Sequence, residues 1–331
     1  MRKTAAIILY VLIGFPLLFS ALFAISTRTW AFDRAAYVRV LTDDRLVGIL
    51  RSPAMQKEVG ETVELGGISL NGPALVSALQ KDPPVAELKA LATEAVNDGF
   101  DFYEGRTKGK QASLDLAPLK AALSSRSGVL AADYVAALPA KPGRPSEADF
   151  SYRPQGLPER LVSSRAADLL RSRMATEVPD SLPWPPATLP SADGSGEGAV
   201  LTVGRIDTAI AGLALFAFLF AAGLVLLGES RMHGRLSMAG AFISAPAALI
   251  LVSSAVAAAA GLGVQRGLLP DAMRQMAGSD GGAMLATYFL GSFLGTSGPV
   301  FKSLFTTGLV GVCVGGLLAS VRRWAKQEDE E

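Results

Sequence analysis

Uncharged runs long enough to cross a bilayer flank one long stretch that carries charges of both signs, and this alternation organises the chain. From Thr208 to Gly228 (TAIAGLALFAFLFAAGLVLLG) there is no charge, with Asp207 and Glu229 at the two ends. About 20 apolar residues rising 1.5 Å each match a hydrocarbon core of about 30 Å, so the run predicts a transmembrane helix. Residues 4–27 (TAAIILYVLIGFPLLFSALFAIST) form a second such run behind Arg2 and Lys3. It exceeds the roughly 15 apolar residues of a signal peptide and reads as a retained anchor, with Ala24-Ile25-Ser26 a passable cleavage site. Trp30 and Phe32 follow where an outer interfacial belt is expected. Leu236 to Gln265 and Ser303 to Val321 complete four predicted spans. Ala, Gly and Ser dominate the first of these, and Gly311 and Gly315 give the second a GxxxG spacing; both patterns let membrane helices approach closely. Pro246 is expected to kink the third span. Gly281 to Phe301 is also uncharged, but its glycines and Pro299 make it a poor span. It reads as an amphipathic or re-entrant segment within an outer interfacial stretch, 266–301.

Residues 28–207 read as a folded aqueous domain. Asp43 to Arg51 and Ala54 to Val59 are predicted as short helices, with Ser52 as N-cap and Pro53 at the first helical position. Two alternating runs around Gly66-Gly67, Val63 to Leu65 and Ile68 to Leu70, predict a hairpin. A helix is expected from Asn71-Gly72-Pro73 to about Gln80. Between Val85 and Tyr103, Val85, Leu88, Leu91, Ala92, Ala95, Val96 and Phe102 recur at helical spacing, opposite Glu87, Glu94, Asp98 and Asp101. That acidic stripe resembles a cation site, yet a solvated face gives the same pattern and is the reading adopted. A basic turn, 105–110, leads to a third strand in Gln111 to Leu116, expected beside the hairpin, and helices follow at Pro118 to Leu123 and Val129 to Leu138. From Pro139 to Pro158 and from Pro179 to Gly198 the composition turns to Pro, Gly and Ser, which predicts extended, unpacked chain. Between them Glu159 to Glu177 predicts an exposed helix carrying Arg160, Arg165, Arg171 and Arg173.

The fold class expected is therefore a membrane protein of four transmembrane α-helices, plus a mostly helical α+β extracytoplasmic domain with a small antiparallel sheet. Its parts are an N-terminal anchor (1–27), an extracytoplasmic α+β domain (28–138), Pro-rich extended segments flanking one helix (139–207) and a three-helix transmembrane domain (208–331). Arg2 and Lys3, Arg231 and Arg235, and Arg322, Arg323 and Lys326 all fall on one side of such a bundle, and an acidic tail ends the chain. The positive-inside rule makes that side cytoplasmic, with both termini there and 28–207 outside.

Composition narrows the chemistry. Half of the 331 residues are apolar and the net charge is only +1, with no basic run interleaved with aromatics, so nucleic acid is not an expected partner. Cys313 is the only cysteine and His233 the only histidine. An intrachain disulfide, a thiolate zinc site and a two-histidine metal site are excluded, and no cofactor is called for. Gly261, Gly263 and Gly267 lack the spacing of a dinucleotide fingerprint and are read as helix packing. A serine triad would need His233, which lies across the membrane from the folded domain. His233 is read as an ordinary polar loop residue in preference to a haem or chlorophyll ligand, and Cys313 as a buried filler in mid-span. None of the three later spans carries a charged residue at its centre, which leaves an ion-coupled transport path little to run on.

The layout of anchor, extracytoplasmic domain and three-helix membrane part resembles that of many bacterial inner-membrane proteins. The function expected is a non-catalytic accessory or scaffold subunit of a respiratory, photosynthetic or secretion complex. Its partners would be other integral membrane subunits and the lipid bilayer. A membrane-anchored sensor or solute-binding module is the alternative. An enzyme acting on lipid or cell wall through Asp98 or Asp101 is a third, and no catalytic, cofactor-binding or metal residue is assigned.

Overall fold

The computed structural model describes residues 2–65, 67–104, 106–107, 112–141, 149–155, 158–184, 203–268 and 271–328. Four helical stretches are long and apolar enough to cross a membrane: Arg2–Ala31, Gly204–Gly228, Met232–Gln265 and Asp280–Val321. The first comprises α1 (Arg2–Leu9), one π turn (Tyr10–Gly14) and α2 (Phe15–Ala31). Pro16, which has no N–H to return to the preceding turn, sits just past that π turn. The second and third are α11 (Val203–Gly228) and α12 (Met232–Gln265). The fourth is broken: α14 (Asp280–Leu294) ends at Gly295, and α15 (Pro299–Glu328) starts a new helix. A short α13 (Asp271–Ala277) precedes α14.

The long helices pack by their small residues. A Cβ on Gly240 would stand 2.5 Å from the Gly315 carbonyl oxygen, and one on Gly315 would stand 2.6 Å from that of Gly240. Gly308 and Gly311 meet Leu251 and Ala247 in the same way, so α12 and α15 run antiparallel at backbone contact. The small-residue faces expected to receive other subunits are thus closed on each other within the chain. On the other side of α12, Tyr10 stacks on Phe242 with ring centroids 3.6 Å apart and donates its hydroxyl to the Phe242 carbonyl at 2.5 Å. Leu18 and Ala21 of the first span bury against Ala217, Ala221 and Leu224 of α11.

The two ends of the bundle differ. At one, Lys3 pairs with Glu229 at 3.1 Å, next in sequence to Arg231 and Arg235, and the last turns of α15, which include Arg322 and Arg323, lie toward this same end. At the other, Arg28 pairs bidentately with Asp207, and the Ser26 and Ser303 hydroxyls lie 3.0 Å apart. Everything between Arg28 and Asp207 is inserted at this second end.

The inserted domain begins with α3 (Arg34–Leu41), a helix the hydrophobic pattern did not single out, capped by Asp33, which accepts the Ala36 N–H at 3.1 Å. Next come α4 (Asp44–Leu50) and a single turn, α5 (Pro53–Gln56). Ser52 occupies the expected N-cap but makes no capping bond; its hydroxyl points to the Met284 sulfur at 3.8 Å. The hairpin forms as the alternation predicts, β1 (Thr62–Leu65) against β2 (Ile68–Asn71), with Gly67 at a φ of 78°. Asn71 caps α6 (Gly72–Lys81), and α7 (Val85–Tyr103), α8 (Ala117–Ser125), α9 (Ser127–Ala137) and α10 (Glu159–Glu177) complete the helices of this domain.

Three pairings correct the expectations. Strand β3 (Ala112–Asp115) does not join the hairpin; it pairs antiparallel with β7 (Ser181–Trp184), where Pro183 faces Ser113. In a two-stranded ladder each strand has a free edge on which a missing N–H costs nothing, so proline is tolerated. The chain expected to lie extended and unpacked also pairs: β4 (Ala140–Lys141) lies parallel to β6 (Arg153–Pro154), and β5 (Asp149–Phe150) lies parallel to β2. Phe150 is buried in the domain core with Leu70 and Tyr134. Nor is α10 a free helix, because Val162, Ala166, Leu170 and Met174 bury against Leu130 and Ala131 of α9. The remainder of the second proline-rich stretch, 185–198, the centre of the first, 142–148, and most of the basic turn at 105–110 lie outside the described residues.

Candidate functional site

The inserted domain rests on the bundle through α14. Gly278 and Gly267, at φ of 71° and 84°, turn the chain on either side of α13. Ser279 then caps α14 by accepting the Gly282 N–H at 3.1 Å. Glu58 accepts the Gly281 N–H at 3.1 Å, and Tyr288 donates to the Val40 carbonyl at 2.5 Å, so the start and the middle of α14 are bonded to the inserted domain. Its other face meets the end of α12. A Cβ on Gly261 would stand 2.6 Å from the Gly295 nitrogen, and Gln265 donates to the Gly291 carbonyl at 3.1 Å. Of the three glycines read as helix packing, Gly261 packs on Gly295, whereas Gly267 makes a turn and a Cβ on Gly263 would meet nothing closer than 4.0 Å. An aromatic group finishes the junction: Tyr37 lies 5.5 Å from Phe100 and 5.1 Å from Phe293, with burial raising its phenol above 10.0.

Between α4, α5, the end of α12, α13 and α14 there is an open groove of about 1360 Å³. Ile49, Ala54, Ala283 and Met284 give it apolar walls, while Arg45, Arg274 and Asp280 bring charge to it. Arg45 gives its Nε and Nη2 to Asp43, whose other task is to cap α4 by accepting the Arg45 backbone N–H at 2.8 Å. The Arg45 guanidinium holds the Asp43 carboxyl below 3.8, and Asp43 in turn raises Arg45. Arg274 donates to the Gly267 carbonyl at 2.8 Å, and no carboxylate is paired with it among the described residues. Three of the hydroxyls lining the groove are committed to backbone: Ser279 to its cap, Thr287 to the Ala283 carbonyl at 2.8 Å and Tyr288 to Val40. What the groove offers is guanidinium, one carboxylate and apolar surface, a set suited to holding an amphiphile or an anion.

The residues singled out by sequence do not gather here. Asp101 is neutralised by Arg34 at 2.6 Å and Arg106 at 3.1 Å, and Glu94 accepts the Asp115 N–H at 3.2 Å, so much of the acidic stripe of α7 is structural and is not simply solvated. Asp98 lies on the same helix beside Glu94, away from the groove. No group of three His, Cys, Asp or Glu side chains able to hold a metal occurs among the described residues. Arg171 binds the Ser127 hydroxyl at 2.9 Å and Arg173 pairs with Glu177 at 3.7 Å. Cys313 is exposed on the outer face of α15, where it had been expected as buried filler, because the inner face is taken by Gly311 and Gly315. The groove itself was not anticipated: Arg45 and Arg274 sit far apart in sequence on elements whose meeting depends on Tyr288 and Glu58. No family model matches the chain, and no curated protein or solved structure is similar to it.

Proposed function

We propose that this chain is a non-catalytic accessory or scaffold subunit in a bacterial inner membrane. Both termini are cytoplasmic, residues 28–207 are extracytoplasmic, and other integral membrane proteins are its partners. One observation carries the reading. The outward face of α11 has Gly204, Gly212 and Gly223 with nothing within 4 Å of where a Cβ would stand, and Thr208 lies between the first two. Exposed Leu215, Leu219 and Leu226 stand on the same face, so it is an apolar surface notched at its glycines where a neighbouring helix can seat side chains, and unlike those of α12 and α15 it is unused within the chain. The inserted domain, fixed through α14, then presents a constant surface above that partner. Purification of the full chain from native membranes in mild detergent tests this. Co-migrating integral membrane proteins, lost on Gly212→Leu, are the expected result; a monodisperse monomer with nothing bound overturns it.

A second reading, a membrane-anchored sensor or solute-binding module, is favoured by the groove, which joins the inserted domain to the spans. Its signature is a ligand-dependent rise in the melting temperature of the full chain that disappears when Arg45 is replaced.

A further inference from the structure

We infer that the groove holds the headgroup and upper acyl chain of one membrane phospholipid, with Arg45 and Arg274 on its phosphate and Asp280 on a headgroup ammonium. This rests on the reading of the bundle as membrane-embedded.

Position is the first argument. The groove lies at the end of the bundle where α12 stops at Gln265 and where the first span gives way to α3, which is headgroup depth if the long helices cross lipid. Leu268, next to lining residue Gly267, is 71% exposed, and Leu262 and Met273 are also exposed on this stretch, so apolar surface continues from the groove onto the flank of the bundle. A water-facing pocket would not be expected to continue in this way; a site entered from lipid would.

Size and charge agree. At about 1360 Å³ the groove exceeds the roughly 300–1,000 Å³ typical of small-molecule sites and has room for a chain beside a headgroup. Guanidinium binds phosphate by paired N–H donors, and neither arginine is used up: Arg45 gives only Nε and Nη2 to Asp43, and Arg274 has a single backbone acceptor. Asp280 is exposed in the first turn of α14, and no ion pair reaches it among the described residues. With Asp43 set against Arg45, the two guanidiniums and two carboxylates at the groove balance, which matches a zwitterionic phosphoethanolamine headgroup better than a purely anionic one.

The test uses the full chain released from membranes in mild detergent, analysed by native mass spectrometry, and then delipidated and melted with added phosphatidylethanolamine, phosphatidylglycerol or inorganic phosphate. The expected result is a single retained phospholipid, with retention about tenfold lower in the Arg45→Gln, Arg274→Gln double variant, as loss of two charge-assisted contacts implies. Asp280→Asn should remove the preference for phosphatidylethanolamine over phosphatidylglycerol. If the double variant fails to fold, Arg45→Gln alone serves, since that side chain is 74% exposed and the cap of α4 is made by its backbone N–H. Equal lipid retention in wild type and variant overturns the inference, as does inorganic phosphate protecting as well as phospholipid. Carbonate extraction separates the two levels: a chain that washes off membranes refutes the embedded bundle, whereas one that stays but retains no lipid refutes only the groove.

Discussion

One phenol hydroxyl holds together three segments of the inserted domain. Tyr134 donates to the Phe150 carbonyl at 2.5 Å and accepts the Asn71 N–H at 2.9 Å, tying α9 to β5 and to the end of β2. Replacing it with Phe leaves two backbone groups without this partner at a buried point, and Tyr134→Phe should cost about 2 kcal/mol, measured by denaturant melting of the detergent-solubilised chain. Asp43 gives a residue-scale effect that depends on pH. Its folded carboxyl lies below the ordinary 3.8, so its stabilisation is complete above that value and is lost as pH falls through the lower folded-state value. Asp43→Ala should therefore destabilise by about 1 kcal/mol at neutral pH. The gap between variant and wild type should close in melts run well below pH 3.8. Single residues were legible where local chemistry decides them. Asn71 caps its helix as its type and place before Gly-Pro imply. Ser52 has the right type, but the helix it opens is a single turn and its hydroxyl turns to Met284 instead.

Elements were legible as elements, and their partners were not. The Gly311 and Gly315 spacing announces a packing face, but nothing in the run of residues says whether the other face belongs to another chain or to α12; the antiparallel return of α15 decides it. Gly315→Ala would put a methyl 2.6 Å from the Gly240 carbonyl oxygen, whereas Gly316 has nothing within 4 Å. Thermal melts in detergent should show Gly315→Ala losing about 1–3 kcal/mol and Gly316→Ala neutral or slightly stabilised. Equal behaviour of the two would mean that the contact between α12 and α15 is not the one described. Strand β3 teaches the same lesson. Its alternation marks it as a strand, yet its partner β7 was hidden in a proline-rich run that reads as linker, and Trp184 closes the pair by donating to the Ala95 carbonyl at 2.8 Å. Loop length and composition alone carry no information about such a long-range pairing.

At the scale of the whole molecule, the order of spans and inserted domain was read directly from where charge is absent, while the groove was invisible because it exists only where α4 and α5 come to rest on α14. The bundle's two ends differ in charge, and this makes orientation testable. In a Cys313→Ser background, a membrane-impermeant maleimide applied to intact cells should label Lys57→Cys and leave Ser230→Cys untouched until the cells are lysed; the reverse pattern would invert the topology. Arg28 and Asp207 carry a further consequence. The stretch of chain they bracket leaves the bundle and rejoins it at this one ion pair, while α14 takes a second hold on the same stretch through Glu58 and Val40. A short flexible graft in place of the inserted domain would therefore keep Arg28 and Asp207 within reach of each other yet leave α14 without the acceptors it finds in Glu58 and Val40, so the spans should survive the exchange better than α14 does.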